Sequence, residues 1–192
     1  MSFDDAGRSP APHRRSPAGD AIESEIKLEF DTADAARAAI ARAGGRLVVA
    51  RRRLDDTLFD FADGRLGASD RALRLRRDGG AGLLTVKGPA RPGPVKAREE
   101  RELTVADADE TEALLRLLGC TPCFRAGKHR EEYRLGDARV TVDETEIGIF
   151  VEIEAPPATI DAVATRLGRA RSNYILASYP ALYRQRRRPA DR

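Results

Sequence analysis

The sequence predicts an α+β domain in which an antiparallel β-sheet closes into a barrel and the helices pack outside it. Stretches that alternate between apolar and polar residues outnumber the helix-like stretches, and short turns separate them. In addition, the polar face of several strands repeats one sign of charge at positions i and i+2. A sheet whose charged face lines an interior and whose apolar face lies under helices would explain both observations.

The strands and helices are predicted from this alternation and from capping residues. The first strand, 22–30, alternates strictly, and further strands are predicted at 46–53, 55–61, 72–78, 82–88, 97–105, 128–135, 138–143 and 148–155. Helices are predicted at 33–43, after Asp31-Thr32 and before Gly44-Gly45; from Asp107 to Leu118, before Gly119; between Pro156-Pro157 and Gly168; and at 178–187. We expect one folded domain over 21–186.

Composition limits the classes of function. The 192 residues contain 34 Lys and Arg against 31 Asp and Glu, so the net charge of +3 gives no support to a specific nucleic-acid partner. No run of apolar residues is long enough to span a membrane, and no secretory signal is present. We therefore predict a cytoplasmic protein. Residues 1–20 are predicted to be a disordered tail and 187–192 a basic C-terminal tail.

The cysteines and histidines do not suggest a metal centre. Cys120 and Cys123 form a single C-x-x-C, and a structural zinc site needs two more ligands, for which His13 and His129 are poorly placed. We interpret the cysteines as two reduced thiols near a turn. His129 lies between Lys128 and Arg130 in sequence, so in a strand it faces the other side and is interpreted as a structural or surface residue.

The charged strand faces are the candidate site. In the first strand, Glu23, Glu25 and Lys27 share one face, which alone could simply face water. Same-sign pairs recur on later strands: Arg74 and Arg76, Glu100 and Glu102, Lys128 and Arg130, and Glu152 and Glu154. Arg98 shares the face of Glu100 and Glu102, and Thr85 with Lys87, and Thr141 with Asp143, lie on comparable faces. Like charges at positions i and i+2 of a strand repel each other unless an opposite charge lies beside each pair. Carboxylate pairs attract divalent metal ions, and Arg or Lys pairs attract phosphate.

Two arrangements remain open at this point. Either the charged faces lie in water, or they line a lumen whose charges are compensated by metal ions and a polyanion. An open sheet with its charged faces in bulk solvent would exclude the second arrangement.

The chain resembles the CYTH superfamily, also called the triphosphate tunnel metalloenzymes, over about residues 21–185. The resemblance rests on the E-x-E-x-K stretch Glu23-Ser24-Glu25-Ile26-Lys27 and on Ala72-Leu73-Arg74-Leu75-Arg76, Thr85-Val86-Lys87-Gly88, Lys128-x-Arg130 with Tyr133, Val142-Asp143, and Gly148-Ile149-Phe150-Val151-Glu152-Ile153-Glu154. It implies a closed eight-stranded antiparallel barrel that forms a tunnel.

The same resemblance implies the roles of the residues. Mg²⁺ or Mn²⁺ would be held by Glu23, Glu25, Glu152 and Glu154, with help from Asp143. Triphosphate would be bound by Lys27, Arg74, Arg76, Lys87, Lys128 and Arg130, and the catalytic set would be Glu25, Lys27, Arg76 and Lys128. Glu100, Glu102 and Arg98 would also face the lumen.

The resemblance leaves the reaction open. The chain length, the Lys-x-Arg-x-x-Tyr and Gly-x-Phe-x-Glu-x-Glu stretches and the Ser178-Tyr179 pair resemble bacterial class IV adenylyl cyclases, which convert ATP to cyclic AMP and pyrophosphate. The alternatives are a phosphohydrolase acting on tripolyphosphate, thiamine triphosphate or a nucleoside triphosphate, and a non-catalytic polyphosphate-binding module.

Departures from the family pattern bear on these alternatives. No counterpart of the C-terminal lysine of animal thiamine triphosphatases is evident, and no adenine-stacking motif is found in the sequence. Leu58 replaces an aromatic residue in Asp56-Thr57-Leu58-Phe59-Asp60, a strand expected to pack rather than to catalyse. We also consider a homodimer, for which the sequence offers no specific signal.

Overall fold

The computed structural model describes residues 22–78 and 81–186. Within these ranges the elements are β1 (Ile22–Phe30), α1 (Ala33–Arg42), β2 (Arg46–Phe61), α2 (Arg65–Ala68), β3 (Ala72–Asp78), β4 (Ala81–Lys87), β5 (Lys96–Val105), α3 (Ala108–Leu117), β6 (Cys120–Leu135), β7 (Ala138–Thr145), β8 (Gly148–Glu154), α4 (Pro157–Arg166) and α5 (Tyr179–Arg186). The two predicted tails, 1–20 and 187–192, and His13 lie outside the described residues, so those predictions stay predictions.

The strands form one closed antiparallel barrel in the order β1-β5-β4-β3-β2-β6-β7-β8, with β8 pairing back to β1. Ile26 pairs with Ile153 at this closure, and Val142 pairs with Val151 on the next pair of strands. The predicted fold class, a closed eight-stranded antiparallel barrel with helices outside, is confirmed. Among the described helices, none combines the length and the hydropathy that crossing a membrane would require.

The apolar face of the barrel points outward and is covered by helices. The larger core cluster joins β1, β7 and β8 to α1 and α4, with Ile26, Val140 and Ile153 packed against Ile40 and Ile160. A smaller cluster joins Phe59 and Leu75 to Ala108 and Leu115 of α3. With their apolar sides used in this way, the strands turn their charged sides inward.

Capping residues fix where the covering helices begin and end. The Thr32 side chain accepts a hydrogen bond from the Ala35 amide at 3.1 Å, and the Asp107 carboxylate accepts from the Asp109 and Glu110 amides at 2.9 Å. Gly44 and Gly119 follow α1 and α3 with positive φ angles of 81° and 88°, as helix-terminating glycines do.

The prediction of two strands at 46–53 and 55–61 was wrong, because β2 is one strand of 16 residues. Charged residues flank Leu54 on both sides in the sequence. In the barrel, however, Leu54 is fully buried, Arg53 pairs with Asp55, and Arg52 and Asp56 find partners in the lumen. The pairing of β2 with β6 contains three register shifts along this length.

The prediction that a strand begins at residue 128 was also incomplete. Strand β6 begins at Cys120, and Pro122 is tolerated because it lies at the register shift beside Phe59. The four-residue helix α2 was not predicted. It is too short to show a helical period.

Candidate active site

The barrel encloses a cavity of about 1620 Å³ lined by the charged faces of its strands. Lining residues include all of the predicted site residues except Asp143, together with Arg98, Glu100 and Glu102. The charged faces therefore line a lumen rather than a solvent-exposed surface, and this arrangement answers the question that the sequence left open. We call the end where β1 begins and β8 ends the carboxylate mouth, and the end beside α5 the α5 mouth.

Three carboxylates form a group near the carboxylate mouth. Glu25, Glu152 and Glu154 each present an oxygen, and these oxygens lie within 4.8 Å of one another. Lys96 donates to Glu25 at 3.0 Å, Lys27 lies 3.3 Å from Glu152, and Arg139 donates to Glu154 at 2.7 Å. Oxygen ligands at such separations suit a hard cation such as Mg²⁺ or Mn²⁺, so the donor set fits the metal that the family resemblance implies.

The neighbouring cations keep Glu25 and Glu152 ionised. Burial raises the pKa of Glu25, but the ammonium groups of Lys27 and Lys96 outweigh it and hold the pKa well below its ordinary value. The pKa of Glu152 is likewise held far below its ordinary value against burial, chiefly by Arg130 and Lys27. An ionised carboxylate is the form that binds a metal ion.

Glu23 lies outside this three-residue group, closer to the rim. Desolvation, followed by the like charges of Glu100, Glu154 and Glu102, raises the pKa of Glu23 to about 8. The Glu23 side chain is nevertheless exposed to solvent. A bound cation would offset the repulsion from the neighbouring carboxylates, which is one cause of the raised pKa.

Asp143, the fifth predicted metal ligand, is surrounded by positive charge. It is fully buried and accepts hydrogen bonds from Lys128 at 2.7 Å, from Arg130 at 2.6 Å and from the Tyr179 hydroxyl at 2.6 Å. Burial raises the pKa of Asp143, but Arg130 and Lys128 outweigh it and lower the pKa. In this geometry Asp143 positions two phosphate-binding candidates and is not one of the three clustered carboxylates.

The predicted phosphate-binding residues meet in the middle of the lumen. Lys27, Arg76, Lys128 and Arg130 are buried, while Arg74 and Lys87 are partly buried. Arg76 donates to both oxygens of Asp56, at 2.7 and 2.9 Å, and Lys87 donates to Glu100 at 2.6 Å. Each cation is thus fixed from one side by a carboxylate.

Some buried nitrogens of the lumen have no hydrogen-bond partner within the described residues. These are Nη1 of Arg52, Nε of Arg74 and Nε of Arg98. A buried N–H group without a partner is costly, and a ligand that accepts hydrogen bonds would remove that cost. Phosphate oxygens are such acceptors.

The pKa of Lys128 is lowered by its surroundings. Burial, and next the neighbouring Arg130, lower the pKa of Lys128 to about 8. The ammonium form still predominates at neutral pH, and a nearby phosphate would stabilise it further.

Sequence reasoning missed Asp56 and Tyr179. Asp56 was assigned to a strand that packs, yet its carboxylate orients Arg76 inside the lumen. In the sequence Asp56 alternates with Leu54 and Leu58, and this pattern gives no sign that Arg76 is its partner. Tyr179 opens α5, and its ring lies over Lys27 and Lys128, with centroid distances of 5.3 and 4.6 Å. The Ser178-Tyr179 pair was noted in the sequence, but only the docking of α5 on the barrel gives Tyr179 these contacts.

Neither thiol belongs to the charged group of the site, although Cys123 lines the cavity; Cys120 packs in the smaller core cluster. Cys120 is buried and Cys123 is exposed, and both are free. In the pairing with β2, the register shift between Leu58 and Phe59 falls at Cys123, which lies between Pro122 and Phe124. Within the described chain, His129 does not line the lumen, whereas Lys128 and Arg130 on either side of it do.

Comparisons with known sequences agree with this geometry. The model of the CYTH domain family matches residues 21–174. The adenylate cyclase CyaB of Aeromonas hydrophila is 28% identical over 177 residues, which cover 85% of this chain and 90% of that protein. A Methanocaldococcus jannaschii protein provisionally named an adenylate cyclase is 29% identical over 134 residues, covering 69% of this chain and 76% of its own.

Solved structures share the fold. A protein of Pyrococcus horikoshii OT3 superposes with a TM-score of 0.74 at 25% identity, covering 86% of this chain and 99% of that one. A Hippeastrum protein, described as having a dominant triphosphatase activity, superposes with a TM-score of 0.67 at 20% identity, covering 85% of this chain and 95% of that one.

Proposed function

The chain belongs to the CYTH domain family, and on that premise we propose that it is a divalent-metal-dependent enzyme that converts ATP to cyclic AMP and pyrophosphate. One observation carries the proposal: the lumen of the barrel holds a central group of buried cations beside a trio of clustered carboxylates. Cations alone would serve a binding module. The carboxylates add a place for the metal that phosphoryl transfer uses.

We assign the metal to Glu25, Glu152 and Glu154, with Glu23 at the rim as an outer ligand and Asp143 as a support for the adjacent cations. A bound divalent ion would neutralise charge on the phosphate chain and orient it for displacement. Because Lys27 contacts both Glu25 and Glu152, it can bring one positive charge to the boundary between metal and phosphate.

The basic residues position the triphosphate. Arg76, locked by Asp56, and Arg130, locked by Asp143, present guanidinium groups whose orientation is fixed before the substrate binds. Lys128 is held next to Arg130 by the same Asp143 carboxylate, and Arg74 and Lys87 extend the cationic wall. Charge developing on the leaving pyrophosphate would be stabilised by these preorganised donors.

In the proposed reaction the ribose 3′-hydroxyl oxygen forms a bond to the α-phosphorus, and the hydroxyl proton ends on the pyrophosphate product. The bond from that phosphorus to the bridging oxygen of the β-phosphate breaks, and pyrophosphate leaves. The contribution of the chain is to hold the nucleophile and the leaving group in line and to keep the phosphate charges compensated.

Hydrolysis of a triphosphate is the second candidate. The Hippeastrum protein of the same fold is described by a dominant triphosphatase activity, and the cationic centre would hold the phosphate chain of tripolyphosphate or thiamine triphosphate equally well. Water would then replace the ribose hydroxyl as the nucleophile.

A product assay separates these reactions. The protein is incubated with ATP, tripolyphosphate and thiamine triphosphate, each with Mg²⁺, with Mn²⁺ and with EDTA, and the products are identified by chromatography and ³¹P NMR. We expect cyclic AMP and pyrophosphate from ATP, only when metal is present. Orthophosphate together with ADP from ATP, or together with pyrophosphate from tripolyphosphate, without cyclic AMP, would establish hydrolysis instead. Metal-independent binding without turnover would overturn the enzymatic proposal.

A further inference from the structure

The lumen face of β6 changes character along its length. From the α5 mouth inward it presents Phe124 and Ala126, then Lys128 and Arg130, and finally Glu132, all of which line the cavity. The order is therefore apolar, cationic and anionic along a single strand. About 14 Å of strand separates Phe124 from Lys128, at about 3.4 Å per residue.

An apolar wall surrounds Phe124 at the α5 mouth. Leu58 of β2 is its direct partner in the strand pairing, and the Tyr183 ring of α5 meets Phe124 edge-on, with centroids 5.3 Å apart. Pro180, also in α5, lines the same part of the cavity. Leu58 and Phe124 are both only partly buried, so each keeps apolar surface available to a ligand.

The opposite mouth has the opposite chemistry. Glu23, Glu102 and Glu154 line the cavity there and would repel the phosphate chain unless metal were bound. A triphosphate held by the central cations therefore meets carboxylates on one side and an apolar wall on the other. Inorganic tripolyphosphate has no apolar part that could use this wall.

We propose that Leu58, Phe124 and Tyr183 form the binding site for the base of a nucleoside triphosphate, with Phe124 as its stacking partner. This inference rests on the proposed function and adds the direction of binding. The base lies at the α5 mouth, and the phosphate chain runs inward past Lys128 and Arg130 towards Glu25 and Glu152. Flat heterocycles stack favourably on aromatic side chains, whereas phosphates gain nothing from them.

The test compares two ligands that share the phosphate chain but differ in the base. ATP and tripolyphosphate are titrated calorimetrically in metal-free buffer, where no turnover is expected, into the wild-type protein and into Phe124→Ala. We expect Phe124→Ala to lose at least about fivefold more affinity for ATP than for tripolyphosphate, as base–aromatic stacking implies. Phe124→Leu keeps the apolar volume without the flat ring and should lie between the two proteins.

Leu103→Ala is the matched control. Leu103 is an apolar side chain on the outer face of β5, 55% exposed, so its removal should leave both affinities at the wild-type value. Near-UV circular dichroism checks that each variant is folded, and Phe124→Leu carries the test if Phe124→Ala does not fold.

The outcomes are distinguishable. If the wild-type protein binds both ligands and the Phe124 variants weaken both equally, or neither, then the base site is wrong while the triphosphate site stands. If the wild-type protein binds neither ligand, with or without Mg²⁺, the proposed function itself fails and the base site fails with it.

Discussion

At the scale of single residues, the central charges of the lumen are held in buried ion pairs. Arg130 lies between Asp143 and Glu152, and Arg76 is held by both oxygens of Asp56. Removing one member of such a buried pair leaves the other without a partner, which is more costly than the net stabilisation that the pair provides. Substitutions that test function should therefore keep shape and hydrogen bonding.

Glu25→Gln tests the proposed metal ligand. Glutamine keeps the size of the side chain and a hydrogen-bond acceptor for Lys96, but it removes the charge that a divalent cation needs. We expect turnover to fall at least about 100-fold and Mn²⁺ affinity to fall with it, measured by initial rates and calorimetry. Glu99→Gln, an exposed carboxylate on the outer face of β5, is the control. Normal Mn²⁺ affinity in Glu25→Gln would remove Glu25 from the metal site.

Arg76→Lys tests the phosphate-binding role. Lysine keeps a positive charge near Asp56 but cannot form the two-pronged contact that a guanidinium makes. We expect triphosphate affinity to fall about tenfold, equivalent to the loss of about 1.4 kcal/mol, with Mn²⁺ affinity changed less than about twofold. Arg101→Lys, at an exposed pair with Glu99 outside the barrel, provides the comparison. Equal losses of the two affinities would contradict the assignment.

At the scale of secondary-structure elements, the sequence predicted most strands and the inward charges. Strict alternation in β1, β3, β7 and β8 shows in the sequence because one face of each strand packs on helices. The first half of β6 was not predicted, since Pro122 and two cysteines obscure its alternation and only the pairing with β2 makes it a strand. The hydrogen-bond partners of Asp56 and Tyr179 lie in distant segments of the chain, so local sequence patterns could not predict them.

Gly82 shows how close packing fixes α3 on the barrel. A Cβ atom at this position would lie 2.4 Å from Val105 Cγ2 and 3.2 Å from Ala108 Cβ at the start of α3. We expect Gly82→Ala to lower the free energy of unfolding by about 1–3 kcal/mol, because α3 must move outward. Gly93→Ala, where the nearest atom is 3.6 Å away, should be nearly neutral. Urea denaturation measures both, and equal stability of the two variants would contradict this packing.

At the scale of the whole molecule, the charged lumen makes stability depend on acid. Burial raises the pKa of Glu132, but Arg139 and Arg52 outweigh it and hold the pKa at about 2, below the ordinary 4.5. Asp56, Asp143 and Glu152 have lowered pKa values for the same kind of reason. Because the folded protein binds fewer protons at these groups than the unfolded chain, their stabilisation is complete above about pH 4.5 and is lost as the pH falls towards 2.

Glu132→Gln isolates one part of this dependence. Arg52 keeps Asp78 and Arg139 keeps Glu154 as partners, so neither arginine is left unpaired. The variant should be less stable than the wild type at pH 7 by up to about 3 kcal/mol, and the difference should shrink as the pH is lowered from 5 towards 2, since the wild type then loses the same contribution. Urea denaturation at several pH values follows this convergence, with Glu99→Gln expected to run parallel to the wild type. Parallel curves of stability against pH for Glu132→Gln and the wild type would mean that Glu132 does not form ionised pairs with Arg52 and Arg139 in the folded barrel.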